Sequence, residues 1–158
     1  MTELSMRDAV SERAPRPYRK SAPNIVVIVL DDLGFAQAGC YGSNLETPNL
    51  DRIAERGIRF TNFHTTAICS PTRACLLTGR NHHRVGMGML PDLPVNFPGY
   101  TGTFADNAAT IAEILKADGY VTSAIGKWHL TARDQRATGP YDMWPTGVGF
   151  EHYYGFLN

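Results

Sequence analysis

The feature that most constrains the fold is a short apolar run near the start of the chain. Residues 24–30 read Asn-Ile-Val-Val-Ile-Val-Leu, and Asp31 and Asp32 follow directly. β-Branched side chains favour strands, and a strand that is apolar on both faces lies in the middle of a sheet covered by helices. The run is far shorter than the ~20 apolar residues that a membrane helix needs. It therefore predicts a buried central strand.

Helical and extended patterns alternate along the rest of the chain. Thr47 and Pro48 predict the start of a helix, and Gly57 predicts its end. Two further strands are predicted, over residues 58–63 and 120–126. Two further helices are predicted, over residues 70–79 and 110–119. The second of these helices begins with a capping box of Thr110 and Glu113. This order predicts an α/β fold with a largely parallel sheet flanked by helices. Val85–Asp106, rich in Gly and Pro, is predicted to be a long surface loop.

Charge and composition argue against several classes of function. The chain has 15 basic and 15 acidic residues, so no net field attracts nucleic acid or an anionic membrane, and we expect neither as a partner. Residues 1–22 are polar, with basic residues and prolines, and are predicted to form a mobile tail. They contain no apolar stretch typical of a secretory leader, which favours a cytoplasmic location.

Two pairs of polar residues fall where predicted strands end. Asp31 and Asp32 close the first strand, at a carboxyl end, which is where ligand sites of α/β sheets occur. Adjacent carboxylates repel each other unless a hard cation such as calcium or magnesium lies between them. An ordinary turn capped by two aspartates is an equally good interpretation of this pair.

The second pair, Lys127 and His129, closes the strand over residues 120–126. Residues two apart in a strand face the same side, so a cation and an imidazole could together bind an anion and transfer a proton. Taken without other motifs, a lysine at a strand end and a hydrogen-bonded histidine are the commoner interpretation.

Cys69 precedes Ser70-Pro71-Thr72-Arg73, at the predicted start of a helix. The free N–H groups and the dipole of a helix start favour anions, and Arg73 adds a bidentate donor for sulfate or phosphate. The position is therefore typical of an activated thiol or an anion pocket, whereas an arbitrary cysteine is more often a small buried side chain. Three cysteines at irregular spacing form neither a disulfide framework nor a zinc pattern.

Three stretches resemble the sulfatase family. Residues 68–79, Ile-Cys-Ser-Pro-Thr-Arg-Ala-Cys-Leu-Leu-Thr-Gly, resemble the first sulfatase signature, and residues 119–129, Gly-Tyr-Val-Thr-Ser-Ala-Ile-Gly-Lys-Trp-His, resemble the second. Residues 24–34 resemble the metal-binding strand that opens the family's catalytic domain. The resemblance runs over residues 23–158 and implies the N-terminal part of an alkaline-phosphatase-like sandwich. The segments 81–83 and 144–147 are most similar to large bacterial arylsulfatases.

The resemblance implies an unusual nucleophile at Cys69. In the family, a separate formylglycine-generating enzyme reads Cys-x-Pro-x-Arg, here Cys69, Pro71 and Arg73, and converts the cysteine to the aldehyde formylglycine. One hydroxyl of the hydrated aldehyde attacks sulfur, and loss of the proton from the second hydroxyl releases the sulfate. Neither serine nor unmodified cysteine has that second hydroxyl.

The resemblance also implies roles for the other candidate residues. Asp31 and Asp32, with the modified Cys69, bind calcium, with magnesium or manganese as alternatives. Arg73 and Lys127 neutralise charge on the sulfate, and His129 takes the proton in the release step. His82 and His83 match the bacterial subgroup without a catalytic role. The implied substrate is a small-molecule sulfate ester.

Sulfatases usually run to several hundred residues, so further metal ligands and the leaving-group acid are expected outside this chain. We accordingly expect weak or no turnover from these 158 residues alone. A phosphonate or phosphate ester hydrolase of the same superfamily, and an inactive relic that binds an anion, are the alternatives that the sequence leaves open.

Overall fold

The computed structural model describes residues 9–10, 16–18 and 21–158. The chain divides into a smaller unit, Asn24–Thr65, and a larger unit, Thr66–Asn158 together with Met1–Pro23. Most of the predicted tail, residues 1–22, lies outside the described residues. None of the helices in the described part has both the length and the apolar surface that a bilayer crossing requires.

The smaller unit contains helix α1, Pro48–Arg56, which starts and ends where the sequence predicts. Two 3-10 turns precede it, at Phe35–Gln37 and Gly39–Tyr41. The Thr47 hydroxyl accepts a hydrogen bond from the Gly39 N–H at 2.7 Å and donates one to the Asp51 carboxylate at 3.0 Å. Thr47 therefore links the first turn of α1 to the 3-10 turn at Gly39–Tyr41 by hydrogen bonds.

The apolar run at residues 24–30 is not a strand, so the prediction of a buried central strand was wrong. Among the described residues its backbone has no strand partner, and the six side chains of Ile25–Leu30 are between 43% and 80% exposed. Residues 58–63 likewise form no strand, and Ile58 is 82% exposed. A strand is stabilised by hydrogen bonds to a neighbouring strand and by helices that cover its faces. None of the described residues of the smaller unit provides either.

Two predicted helices of the larger unit are confirmed. Helix α2, Cys69–Thr78, ends at Gly79, whose φ of 65° is the left-handed conformation that glycine adopts without strain. Helix α3, Ile111–Ala117, begins with the predicted capping box. The Thr110 hydroxyl accepts from the Glu113 N–H at 3.1 Å, and the Glu113 carboxylate accepts from the Thr110 N–H at 2.6 Å.

The larger unit contains a parallel pair of strands. Strand β1, Ser123–Lys127, pairs with β2, His152–Phe156, in a register that places Ser123 opposite His152. Parallel strands need a crossover connection, and this one carries helix α4, Gln135–Thr138, and a 3-10 turn at Pro145–Val148. β1 lies at the end of a predicted strand, whereas β2 lies in an aromatic segment for which no strand was predicted.

The core of the larger unit surrounds Trp128. Its indole N–H donates to the Met143 carbonyl at 2.8 Å, and its ring meets Phe150 edge-to-face at 5.9 Å between centroids. The buried apolar cluster comprises Ala74, Val85, Met87, Phe104, Ala108, Trp128, Leu130, Met143 and Val148. It includes Trp128 and Leu130 and thereby fixes the residues that directly follow β1.

The segment Val85–Asp106 is irregular as predicted, but the prediction that it lies on the surface was wrong in part. Val85 and Met87 are fully buried. Backbone hydrogen bonds within the segment join Gly88 to Gly99 at 2.7 Å and Gly102 to Gly86 at 3.0 Å. Because these bonds satisfy its own polar groups, an irregular segment can contribute to the core without leaving amides unpaired.

Candidate active site

The start of α2 and the end of β1 lie against each other. Cys69 is the first residue of α2, and its Sγ is 3.2 Å from Nδ1 of His129, two residues beyond β1. The Ser70 hydroxyl, fully buried, donates to the His129 backbone carbonyl at 2.6 Å. Cys69 and Ser70 of the first motif therefore both contact His129 of the second, 60 positions from Cys69.

Arg73 lies one helical turn after Cys69 and also faces this strand. Its Nη1 donates to the Lys127 carbonyl at 2.6 Å. Cys69, Arg73, Lys127 and His129, the four residues predicted to be catalytic, thus lie in one cluster. The cluster combines a sulfur, an imidazole and two cationic side chains, which is a suitable environment for an oxyanion.

His129 has an unusual backbone conformation. Its φ is 55°, in the left-handed region, although its N–H still donates to the Leu157 carbonyl at 2.9 Å. The prediction that Lys127 and His129 share a strand face assumed an extended backbone through both, and it was wrong because β1 ends at Lys127. Such strain in a non-glycine residue costs on the order of 1 kcal/mol and is often found at functional sites.

The surroundings of His129 favour its neutral form. Burial is the main cause that lowers the pKa of His129 below its usual 6.5, and the positive charge of Lys127 lowers it further. The Asp92 carboxylate acts in the opposite direction, whereas Arg136 and Arg73 add to the lowering. At neutral pH the imidazole can therefore accept a proton from a neighbouring group.

Two residues at this site, Asp92 and Arg136, were missed by the sequence analysis. An Asp92 carboxylate oxygen is 3.8 Å from Nε2 of His129, and the other carboxylate oxygen forms an ion pair with the Arg136 guanidinium. Asp92 lies in the irregular segment, and Arg136 lies in the short helix α4. Neither belongs to a motif, and no periodicity marks them, so the sequence carried no signal for either.

Asp31 and Asp32 belong to the smaller unit, whereas Cys69 belongs to the larger one. Asp32 has a φ of 56°, so Asp32 and His129 are the two non-glycine residues with positive φ in the described part of the chain. Adjacent carboxylates offer the oxygen donors that calcium takes, although calcium takes about six to eight of them. Over residues 9–10, 16–18 and 21–158, no three His, Cys, Asp or Glu side chains gather as a ready metal site.

His82 and His83 form a separate aromatic group. Their rings contact each other in a tilted arrangement with 4.0 Å between centroids, and Nε2 of His83 lies 3.0 Å from the Tyr100 hydroxyl. Burial and the neighbouring His83 lower the pKa of His82 below its usual value. These contacts give the pair a packing role at the start of the irregular segment.

Comparison with known proteins decides the family. A family model described as Sulfatase matches residues 23–158. The chain belongs to the sulfatase family. It is 40% identical over 142 residues to an uncharacterized sulfatase of Schizosaccharomyces pombe, over 85% of this chain and 24% of that protein. It is 44% identical over 136 residues to human arylsulfatase A, over 84% of this chain and 25% of that protein.

A solved structure supports the same assignment. The crystal structure of Ps i-CgsB is similar to this sulfatase-family chain with a TM-score of 0.71 and 37% identity, over 86% of this chain and 28% of that one. The predicted fold class, α/β of the alkaline-phosphatase-like type, is confirmed by such sulfatase structures. The chain spans about a quarter of the length of the curated relatives it matches.

Proposed function

We propose that this sulfatase-family chain carries the nucleophile-bearing part of a sulfuric ester hydrolase of the arylsulfatase type. The main support is the contact of 3.2 Å between Sγ of Cys69 and Nδ1 of His129, which joins the two sulfatase motifs. The proposed substrate is a small-molecule sulfate ester, since the relatives include arylsulfatases and a steryl-sulfatase.

Cys69 is the residue proposed to be converted to formylglycine by a formylglycine-generating enzyme. The aldehyde adds water to form a hydrate, one hydroxyl of which would attack sulfur, and deprotonation of the second hydroxyl would release the sulfate and reform the aldehyde; serine and cysteine lack that second hydroxyl. Cys69 opens the ten-residue helix α2, where unpaired N–H groups and the helix dipole favour an anion. The position therefore attracts the sulfate group to the residue that reacts with it.

His129 is the proposed proton acceptor, at Nδ1. That nitrogen faces residue 69, and the lowered pKa of His129 keeps the ring neutral near pH 7. Lys127 and Arg73 are proposed to offset the negative charge of the sulfate. The hydrogen bond from Arg73 to the Lys127 carbonyl at 2.6 Å holds the guanidinium beside the end of β1.

Asp31 and Asp32 are proposed calcium ligands, with magnesium or manganese as alternatives. Bound calcium would act as a Lewis acid on a sulfate oxygen. The carboxylate donor type fits a hard cation, and the coordination number of calcium requires ligands in addition to these.

Peptide mass after digestion tests the nucleophile. We would produce the chain beside a formylglycine-generating enzyme and weigh the tryptic peptide Phe60–Arg73. Conversion replaces CH₂SH by CHO or its hydrate and changes the mass accordingly. The next peptide, Ala74–Arg80, contains Cys75 and is the internal control, because its thiol should remain. An unchanged Cys69 in cells that mature another sulfatase would contradict the proposal.

Turnover tests the reaction class. Any turnover of para-nitrophenyl sulfate by the matured chain, which we expect to be weak, should be lost in the Cys69→Ala variant, which lacks the nucleophile but retains the helix. The ratio of rates on para-nitrophenyl sulfate and on the matched phosphate ester separates a sulfatase from a phosphatase. A ratio that favours phosphate would contradict the sulfuric ester assignment.

A further inference from the structure

The two ring nitrogens of His129 face different partners. Nδ1 faces Sγ of Cys69 at 3.2 Å, and Nε2 faces a carboxylate oxygen of Asp92 at 3.8 Å. A neutral imidazole carries its proton on only one of these nitrogens, and the partner of one nitrogen decides the state of the other. The Asp92 carboxylate beside Nε2 therefore influences whether Nδ1 carries the ring proton or accepts one.

The Asp92 carboxylate is held in place by groups connected to the core. Arg136 forms an ion pair with its Oδ1, and Nε of Arg136 also donates to the Thr131 carbonyl at 3.2 Å. Thr131 is fully buried, and its hydroxyl donates to the Met143 carbonyl at 2.9 Å. Because Arg136 occupies Oδ1, the other oxygen, Oδ2, is the one left to face His129.

The ion pair of Asp92 and Arg136 is partly buried, so the charge of Asp92 can act on His129. The side chains of His129 and Arg136 are 13% and 15% exposed, and that of Asp92 is 28% exposed. Charges at such positions are screened less than those of surface pairs. At 3.8 Å the contact is longer than a hydrogen bond, so the carboxylate acts by its charge on the ring N–H.

We propose that Asp92, held by Arg136, is a positioning residue that keeps the proton of the neutral His129 ring on Nε2. Nδ1 then remains an acceptor directed at residue 69. This role rests on the proposed function, because only a reaction at residue 69 uses that acceptor. Asp92 does not touch the reacting atoms itself and acts through His129.

The Asp92→Asn variant should move the proton to the other nitrogen. Arg136 has only donors, so the amide oxygen of the variant should face Arg136, and the amide NH₂ should face Nε2. Nε2 then becomes the acceptor, and the ring proton moves to Nδ1. A role of Asp92 in packing alone would not invert the tautomer, because the amide has nearly the same size and shape as the carboxylate.

The tautomer can be measured by ¹⁵N NMR of the ring nitrogens at about pH 8, well above the usual histidine pKa. The chain would be produced without the maturation enzyme and kept reduced, and His129→Asn would identify the His129 signals among five histidines. We expect the proton on Nε2 in the wild type and on Nδ1 in Asp92→Asn. Asp106→Asn, at an exposed position, is the matched control and should leave His129 unchanged.

Three results would overturn the proposal: a wild-type proton on Nδ1, a folded Asp92→Asn variant with the wild-type tautomer, or the same change in Asp106→Asn. The first does not involve Asp92→Asn, so the test holds even if that variant fails to fold. Any turnover of the matured chain should fall on the order of 10²-fold in Asp92→Asn, because losing a general base typically costs at least that much. An unconverted Cys69 would contradict the proposed function and leave the tautomer result standing.

Discussion

The Ser70 hydroxyl donates a hydrogen bond of 2.6 Å to the backbone carbonyl of His129. Ser70 is fully buried and directly follows Cys69, so the bond attaches the first turn of α2 to the residue after β1. The residue between Cys69 and Pro71 is free to vary in the Cys-x-Pro-x-Arg motif. Its serine here is explained by this contact, which keeps His129 beside residue 69 before any chemical conversion.

Ser70→Ala should destabilise the larger unit by about 1–3 kcal/mol, because it leaves the His129 carbonyl without this donor. Urea unfolding followed by tryptophan fluorescence measures the loss, since both tryptophans lie in that unit. Conversion of Cys69 should persist, because the motif is intact. Ser123→Ala, at an exposed position of β1, is the control, and equal effects of the two substitutions would refute the structural role of Ser70.

Thr110 both caps α3 and binds a second segment. Its hydroxyl accepts from the Glu113 N–H at 3.1 Å and donates to the Val148 carbonyl at 2.6 Å. Thr110→Ala loses a helix cap and leaves a buried carbonyl unpaired, so we expect a loss of about 2–4 kcal/mol. Thr110→Ser keeps both bonds and should retain most of the stability. Similar melting temperatures for the two variants would show that the hydroxyl is not what matters.

The Met143 carbonyl accepts from two side chains, the Trp128 indole at 2.8 Å and the Thr131 hydroxyl at 2.9 Å. Trp128→Phe or Thr131→Val alone leaves one donor in place. The double variant leaves the buried Met143 carbonyl without either side-chain donor. The double variant should therefore cost more than the sum of the single ones, by about 1–3 kcal/mol. The unfolding free energies of the wild type, the two single variants and the double variant measure this coupling. Strict additivity would contradict an energetic coupling through the shared carbonyl.

How far the sequence predicts the site depends on where its signals lie. The pairing of Cys69 with His129 could be anticipated because each belongs to a long motif at the end of a regular element. Helix starts were also predictable, since caps such as Thr110 with Glu113 act over four residues. Asp92 and Arg136 could not be found, because their relation depends on how an irregular segment folds back on the core.

The failures over residues 24–30 and 58–63 have a different origin. Apolar and β-branched composition indicates that a segment is able to form a strand, but the partner strands and covering helices lie elsewhere in sequence. None of the described residues pairs with either segment, so composition alone predicted more order than the structure has. Strand β2 shows the converse, since His152–Phe156 becomes a strand by pairing with β1.

The lowered pKa of His82 predicts a pH dependence of stability. Burial and the neighbouring His83 disfavour the charged ring in the folded chain, whereas the unfolded chain binds a proton with a pKa near 6.5. Between the lowered pKa and about 6.5 the unfolded state binds more protons, so stability rises with pH and is lost as the pH falls.

In His82→Gln this contribution should disappear, and the stability of the variant should fall less steeply below about pH 6.5. Urea unfolding at a series of pH values tests this, with the range above about pH 7.5 as the control, where both curves should run parallel. Curves that are parallel at all pH values would show that burial of His82 does not disfavour its charge.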